Sequence, residues 1–303
     1  MFLTICLNPT FQKTLRFNSI IPGAVNRTAA HRLDASGKGI NVTRVLAQLG
    51  KKAVHLTQLG GSLRPLFLSL CEQDGLSVEW TESNSQIRFC YTLLTENVTE
   101  LVEESEPVIA GTEELILAKF DTLLASGTGS DSSLFTPHCL IISGKKAEGF
   151  SDKVYPYMVS KAKEKGVKII LDIRGNDLIE CLKYEPDIVK PNMEEFAATF
   201  NLGVNETGFK KDLHSLIMEI TQKYNCRIIL TNGSKNVLAA DKNNFFEVDV
   251  PAVKAVNSIG CGDAFTAGLA VAFENGADFN AAISEGIRCG ALNAGFEKPG
   301  VIR

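Results

Sequence analysis

From His138 onward, short apolar runs alternate with stretches of helical spacing. Cys139–Ser143, Lys168–Asp172, Ile188–Val189 and Arg227–Thr231 read as strands. Asp152–Lys165, Met193–Phe200, Phe209–Tyr224 and Asp263–Asn275 read as helices between or after them. That alternation predicts a largely parallel sheet covered by helices on both faces. Ligands of such sheets gather at the carboxyl ends of strands, which points to Ser143, Asp172, Thr231 and the loop before Asp263.

The first third is patterned differently. Met1–Leu7 is apolar and runs into Asn8-Pro9, as a first strand would; it is too short for the apolar core of a signal peptide. Ser36–Val42 opens a helix whose apolar positions Val42, Val45, Leu46 and Leu49 keep i, i+3, i+4, i+7 spacing up to Gly50. Thr14–Ala30 and Gln86–Val102 alternate in a half-polar way, predicting strands with no helix between partners. Asp121–Ser133 contains Gly127-Thr128-Gly129-Ser130, a flexible loop without a phosphate-loop signature. No repeat and no G-x-x-x-x-G-K-[ST] motif occurs, so a Walker-type ATPase is unsupported.

Composition narrows the class. With 303 residues, 45% of them hydrophobic, the chain can bury one large core, and residues 1–303 are expected to form a single domain. A formal charge of −4 and the lack of a basic tract give no case for nucleic acid. No apolar run reaches the roughly twenty residues of a membrane helix. The 8 cysteines are scattered without a C-x-x-C pair and read as reduced, mostly buried thiols, which suits a cytoplasmic location.

The chemistry concentrates near the C-terminus, in Asn257-Ser258-Ile259-Gly260-Cys261-Gly262-Asp263-Ala264-Phe265-Thr266-Ala267-Gly268. Gly260 and Gly262 let the backbone fold tightly and turn N–H groups toward a ligand, with the following helix adding the positive end of its dipole. Asp263 would stand beside a bound anion as a general base; alternatively, the segment is a glycine turn whose aspartate caps a helix. Cys261 either replaces a small residue or forms a thiolate near the helix N-terminus.

Read with Ser36-Gly37-Lys38-Gly39-Ile40-Asn41-Val42, this stretch resembles the paired signatures of the ribokinase-like (PfkB) carbohydrate kinases. Lys190-Pro191-Asn192-Met193-Glu194-Glu195 resembles the family's Asn-x-x-Glu element near magnesium. Leu7-Asn8-Pro9, Pro22–Arg27 and Thr99-Glu100-Leu101 are most similar to the phosphosugar branch, which includes 1-phosphofructokinase and tagatose-6-phosphate kinase. The resemblance implies a doubly wound, mostly parallel ribokinase-like sheet with a small β-lid from about 12–33 and 86–108, which in many relatives also pairs two subunits.

It further implies a kinase using ATP and Mg2+, with a monovalent cation as a further candidate. Asp263 would be the base, and Gly260, Cys261 and Gly262 the anion hole. Asn192 and Glu195 would organise magnesium through water, and Lys190, Asn192, Thr231, Gly233 and Asn293 would face the nucleotide, although Asn293 could equally be structural. Gln12, Gly37, Asn41 and Ser143 would meet the sugar, and Lys38, Arg27 and Arg88 the phosphate it already carries.

Departures cluster on the acceptor side. Gln12 stands where the family has an aspartate that accepts from sugar hydroxyls, and glutamine must donate as well as accept. Ser36 replaces a glycine, Lys145 a serine and Cys90 an asparagine; Asn236 replaces a glycine of the nucleotide loop and tolerates left-handed geometry. The leading expectation is an ATP-dependent ketohexose-phosphate kinase. A kinase for an unphosphorylated sugar or nucleoside, and a sugar-phosphate-binding protein without useful turnover, stand as alternatives.

Overall fold

The computed structural model describes residues 1–125, 137–203 and 209–303. The predicted loop Gly127–Ser130 lies outside the described residues. The described elements run β1 (Phe2–Ile5), β2 (Thr10–Arg16), β3 (His31–Ser36), α1 (Lys38–Gln48), β4 (Ala53–Gly60), α2 (Arg64–Gln73), β5 (Ser77–Gln86), β6 (Arg88–Leu94), β7 (Val98–Val102) and α3 (Thr112–Ala125). They continue with β8 (Cys139–Ser143), α4 (Val154–Glu164), β9 (Lys168–Asp172), α5 (Asn176–Leu182), β10 (Ile188–Val189), α6 (Met193–Thr199), α7 (Phe209–Lys223), β11 (Arg227–Leu230), β12 (Val237–Ala240), β13 (Phe245–Val248), α8 (Cys261–Glu274) and α9 (Phe279–Asn293).

Nine strands form one sheet in the order β13-β12-β11-β10-β9-β8-β1-β4-β5. Its pairings are parallel from β11 through to β5, and β12 and β13 add an antiparallel edge. Alternation along each strand explains the two covered faces. Leu3, Ile5, Leu140, Ile142, Ile169 and Leu171 pack with Phe120 of α3, Tyr155 of α4 and Ile217 of α7. Phe2, Ile141, Ile170 and Ile188 pack with Val45 of α1, Ala267 of α8 and Ile283 of α9. By the same alternation Ser143 and Asp172, two residues on from Ile141 and Ile170, are directed to the α1–α8 side.

Sheet order reverses between β1 and β8, where the chain proceeds to β4 and β5 on one side and to β9, β10 and β11 on the other. A crevice opens at the carboxyl ends of strands at such a switch point. A second sheet, in the order β3-β2-β6-β7, stands beside this crevice. Its Phe11 and Phe89 stack with centroids 5.1 Å apart, and Phe11 meets Phe67 of α2 edge-on. Its other face presents Thr10, Gln12, Arg88, Cys90 and Glu100 to the crevice.

Two spans differ from the sequence-based expectation. The strand expected over Thr14–Ala30 is instead the end of β2, a loop over 17–30, and then β3. Asn18-Ser19 and Pro22-Gly23 interrupt it, with Gly23 at φ 77°. Gln86–Val102 divides into β6 and β7 at a turn around Thr95–Asn97, where the Thr95 hydroxyl donates to the Asn97 carbonyl. Within the described residues no helix is long and apolar enough to cross a membrane.

Candidate active site

A cavity of about 300 Å³ lies at the switch point. Its floor is the N-terminal turn of α8, capped by Gly260 at φ 86°. A side chain at 260 would be strained by that backbone and would approach Pro299 Cβ within 2.9 Å. Asn257 builds the turn before it, accepting from the Ile259 N–H at 3.0 Å and donating to the Glu297 carbonyl at 2.8 Å. Cys261 N–H is taken by the Ser258 carbonyl at 3.3 Å, and the Ala264 N–H by that of Gly260 at 2.8 Å. Among the described residues the N–H groups of Gly260, Gly262 and Asp263 have no protein acceptor. Gly262 itself is exposed to the cavity. These are the unsatisfied donors of a helix start, aimed where an anion can reach them.

Asp263 is buried beside them. Burial pushes its carboxyl up to about 6; Lys38 pulls against that, Asp172 adds to it, and an N–H from Asn41 pulls it down again. Asn41 Nδ2 donates to Asp263 Oδ2 at 2.8 Å. The carboxyl is therefore poised to exchange a proton near neutral pH.

Lys38 follows Gly37, whose φ of 113° at the start of α1 requires glycine. Its Nζ lies 3.2 Å from Glu195 Oε1 and 3.5 Å from Asp172 Oδ1. Burial opposes its charge, but Asp172, Glu195 and Asp263 more than offset this and raise its affinity for the proton. Asp172, at the end of β9, also meets buried Lys190 at 3.4 Å and accepts from Ser143 and Thr266. Burial works against that carboxylate too, yet the two lysines and these donors hold it below the usual range. Three carboxylates and two lysines thus converge here: Asp172, Glu195 and Asp263 with Lys38 and Lys190.

Asn192 caps α6, accepting from the Glu195 N–H at 2.7 Å, while Glu195 Oε2 accepts from the Asn192 N–H at 3.0 Å. This reciprocal capping box occupies Asn192 Oδ1 and Glu195 Oε2 and leaves Glu195 Oε1 to Lys38. Asn192 also bridges to Thr231 at the end of β11, and both line the cavity. Gly233, at φ 58°, makes the following turn but does not line the cavity. Asn236 takes no left-handed geometry; its amide donates to Glu247 at 3.1 Å.

The expected acceptor groups divide. Gln12, Gly37, Lys38, Asn41 and Arg88 line the cavity, whereas Arg27 is exposed in the 17–30 loop and Ser143 lies beneath Asp172. Lys145 points elsewhere and pairs with Glu104 at 3.1 Å. Gln12 resolves its own ambiguity. Its Nε2 donates to the Cys90 carbonyl at 3.2 Å and the Thr92 hydroxyl at 2.7 Å, which leaves Oε1 as an acceptor without a protein donor among the described residues. Asn293 donates to the Ile259 carbonyl at 3.0 Å and accepts from Gly300 N–H at 2.7 Å, so its amide braces the α8 loop. Cys261 turns its sulfur back toward Asn257 and Asn293, and burial pushes its thiol up, against the thiolate alternative.

The sequence placed Asp172 among the strand ends where ligands gather without giving it a role, and it did not place Thr10 or Glu100 in the site. Asp172 carried a signal, a charge closing an otherwise apolar strand. Glu100 was marked only as part of Thr99-Glu100-Leu101, with no role attached, and it reaches the cavity from a fully exposed strand. A second hollow of about 400 Å³, lined by Lys163, Asp187, Arg227 and Asp241 among others, sits at the opposite ends of the strands and holds none of the expected residues.

A doubly wound sheet with its cavity at the switch point, overhung by a small sheet and floored by a helix start, defines an α/β enzyme fold for small molecules. The sequence profile of pfkB family carbohydrate kinases matches residues 5–300, and the chain belongs to that family. Phosphofructokinase-2 from Escherichia coli, in complex with fructose-6-phosphate, superposes with a TM-score of 0.82 at 22% identity, covering 97% of this chain and 93% of that one. The same enzyme with potassium gives 0.84 at 21%, covering 98% and 93%. A Thermotoga maritima protein described as a possible 1-phosphofructokinase gives 0.82 at 20%, covering 98% and 92%.

Proposed function

We propose that this sugar kinase transfers the γ-phosphoryl group of ATP to a hydroxyl of a ketohexose phosphate, either fructose 1-phosphate, giving fructose 1,6-bisphosphate, or tagatose 6-phosphate. The observation that carries the reading is a buried carboxyl, Asp263, beside unsatisfied amides at the start of α8. In this reading Asp263 accepts the proton of the attacking hydroxyl. The N–H groups of Gly260 and Gly262 hold the transferring phosphoryl, while that of Cys261 is committed to Ser258. Lys38 and Lys190 balance the charge that gathers between the carboxylates.

Thr231, Lys190 and Asn192 are assigned to the nucleotide side, with Gly233 shaping the loop. Among the described residues no cluster of three or more His, Cys, Asp or Glu could hold a metal directly. The donor set fits magnesium only through its water shell, held by Glu195 and Asn192, where the ion would supply charge neutralisation. A potassium complex of the Escherichia coli enzyme is reason to include that cation in assays.

For the acceptor's phosphate, Arg88 is the cation that enters from the small sheet. The exposed Ile21, Val25, Leu101 and Val102 on that sheet and its loop make it the surface for pairing with a second copy, beside Arg27. A tetrameric form is described for the Escherichia coli enzyme. The second reading, an unphosphorylated acceptor, draws on Lys38 being held by two carboxylates and Arg27 standing outside the cavity.

The test is ADP release with Mg-ATP against fructose 1-phosphate, tagatose 6-phosphate, fructose 6-phosphate and free hexoses, with and without potassium. Preference for one phosphosugar supports the leading reading, and turnover confined to free sugar supports the second. Nucleotide binding without turnover on any of them returns weight to a sugar-phosphate-binding protein.

A further inference from the structure

Arg44 lies on α1 one turn beyond Asn41 and is 4% exposed. A guanidinium so buried must spend its donors on protein groups. Nε meets Asp74 Oδ2 at 2.9 Å, and Nη2 meets the Ala35 carbonyl at the end of β3 at 2.6 Å. Nη1 donates to both Asn41 Oδ1 and the Pro299 carbonyl, each at 3.0 Å. The Ser36 hydroxyl donates to the same Asn41 oxygen at 3.1 Å.

Two donors on Oδ1 allow the Asn41 amide one orientation, with Nδ2 directed at Asp263. We propose that Arg44, assisted by Ser36, is the positioning residue for the base, locking Asn41 as a donor to Asp263. This rests on the reading of Asp263 as the base. The lock has a chemical consequence. A free asparagine can turn its oxygen to accept from a protonated carboxyl, so it serves both protonation states. A locked one can only donate, which stabilises the carboxylate more than the protonated carboxyl and favours the form that accepts the substrate's proton.

The same guanidinium fixes the segment over Gly260. Pro299 and Gly300 pack against Gly260, and Gln48 of α1 donates to the Gly300 carbonyl at 2.7 Å. Ser36 therefore has a use of its own at a position where the family carries glycine.

The charged groups around these two residues define the controls. Asp74, at the C-terminal cap of α2, faces Arg44 and is shared with Lys298, which also meets Asp34 of β3 at 3.4 Å. Lys38 of α1, Asp172 of β9, Lys190 after β10 and the Cys261 thiol of α8 face Asp263.

The experiment is the pH profile of kcat, with KM for both substrates and a melting curve, in Arg44→Gln, Arg44→Lys, Ser36→Ala and Asp263→Asn. Arg44→Gln is expected to lower kcat roughly 10–100-fold and to move the acid limb up by about one unit, with KM for ATP unchanged. Arg44→Lys, which keeps the charge against Asp74, should fall between it and the parent. Ser36→Ala should move the limb in the same direction by less, and it carries the test if Arg44→Gln does not fold. Folded Arg44 variants with the parental acid limb overturn the proposal, even if kcat falls. Full turnover in Asp263→Asn overturns the reading of the base beneath it.

Discussion

The two walls of the cavity are made in different ways. On the side of α8 the functional groups are buried and cross-braced: Asp263 is held by Asn41, and Asp172 by Lys38, Lys190, Ser143 and Thr266. On the side of the small sheet the holding is uneven: Thr10, Gln12 and Cys90 are buried, but the edge strand and the loop are open. Every residue of β7 is exposed, Arg27 sits in an open loop, and Arg88 donates through Nη1 to the Glu103 carbonyl while its Nε has no partner among the described residues. Groups that handle the moving phosphoryl must not reorganise during transfer, so dense bracing suits them. Groups that select an acceptor can differ between relatives without touching that machinery. The departures Gln12, Lys145 and Cys90 fall on or beside the small sheet, whereas Ser36, at the end of β3, reaches the braced wall through Asn41.

The strongest way to break this contrast is Asp263→Asn. Loss of the base should lower kcat by roughly 10²–10⁴-fold. In the parent, the carboxyl raised to about 6 must lose its proton to act, so activity should fall as pH drops through that value. Stability should move the other way. A carboxyl whose folded pKa lies above its unfolded value favours the fold at low pH, and that contribution is lost as pH rises through 6. At pH 8 the charged form is a net burden, so the neutral asparagine should stabilise the fold by about 1–3 kcal/mol, read from a urea midpoint. A variant that loses activity and melts earlier at pH 8 would mean that Asp263 is held mainly by attraction to Lys38.

Arg88→Ala probes the other wall. A charge-assisted contact to a phosphate contributes roughly 1.5–3 kcal/mol, so KM for a phosphosugar should rise about 10–100-fold. KM for ATP should stay put, because Arg88 enters from the small sheet and Thr231 from the end of β11. An unchanged acceptor KM would favour an unphosphorylated sugar.

The contrast also governs what could be read from the sequence. The parallel sheet was legible because β8, β9 and β11 are apolar runs separated by helical spacing, and α8 because Gly260-Cys261-Gly262-Asp263 is a compact local motif. Asp263, Lys38 and Glu195 were found by such motifs. What joins them was not legible. The pairing of Lys38 with Asp172 spans 134 positions, and that of Asn41 with Asp263 spans 222. Spacing along the chain cannot encode contacts that sheet order creates. Asn293 stood between a nucleotide role, by resemblance, and a structural role on a C-terminal helix; its hydrogen bonds to Ile259 and Gly300 come from distant parts of the chain and support the second. The strand expected over 14–30 failed for a local reason: its alternation continues through turn-forming residues that end β2.

Gln12→Glu gives the smallest expected effect and tests the contrast at its seam. The change is nearly isosteric, so packing should survive. It removes the amide donors that serve the Cys90 carbonyl and the Thr92 hydroxyl, placing a carboxylate against the former. Thr92 can rotate its hydrogen to compensate; the carbonyl cannot. A loss of about 1 kcal/mol in stability should follow, and a several-fold rise in acceptor KM as the side chain withdraws from the sugar. Because the braced wall does not depend on Gln12, kcat and the acid limb near pH 6 should be unchanged. If Gln12→Glu instead moves the acid limb upward, its charge is felt at Asp263, and the two walls are electrostatically one site.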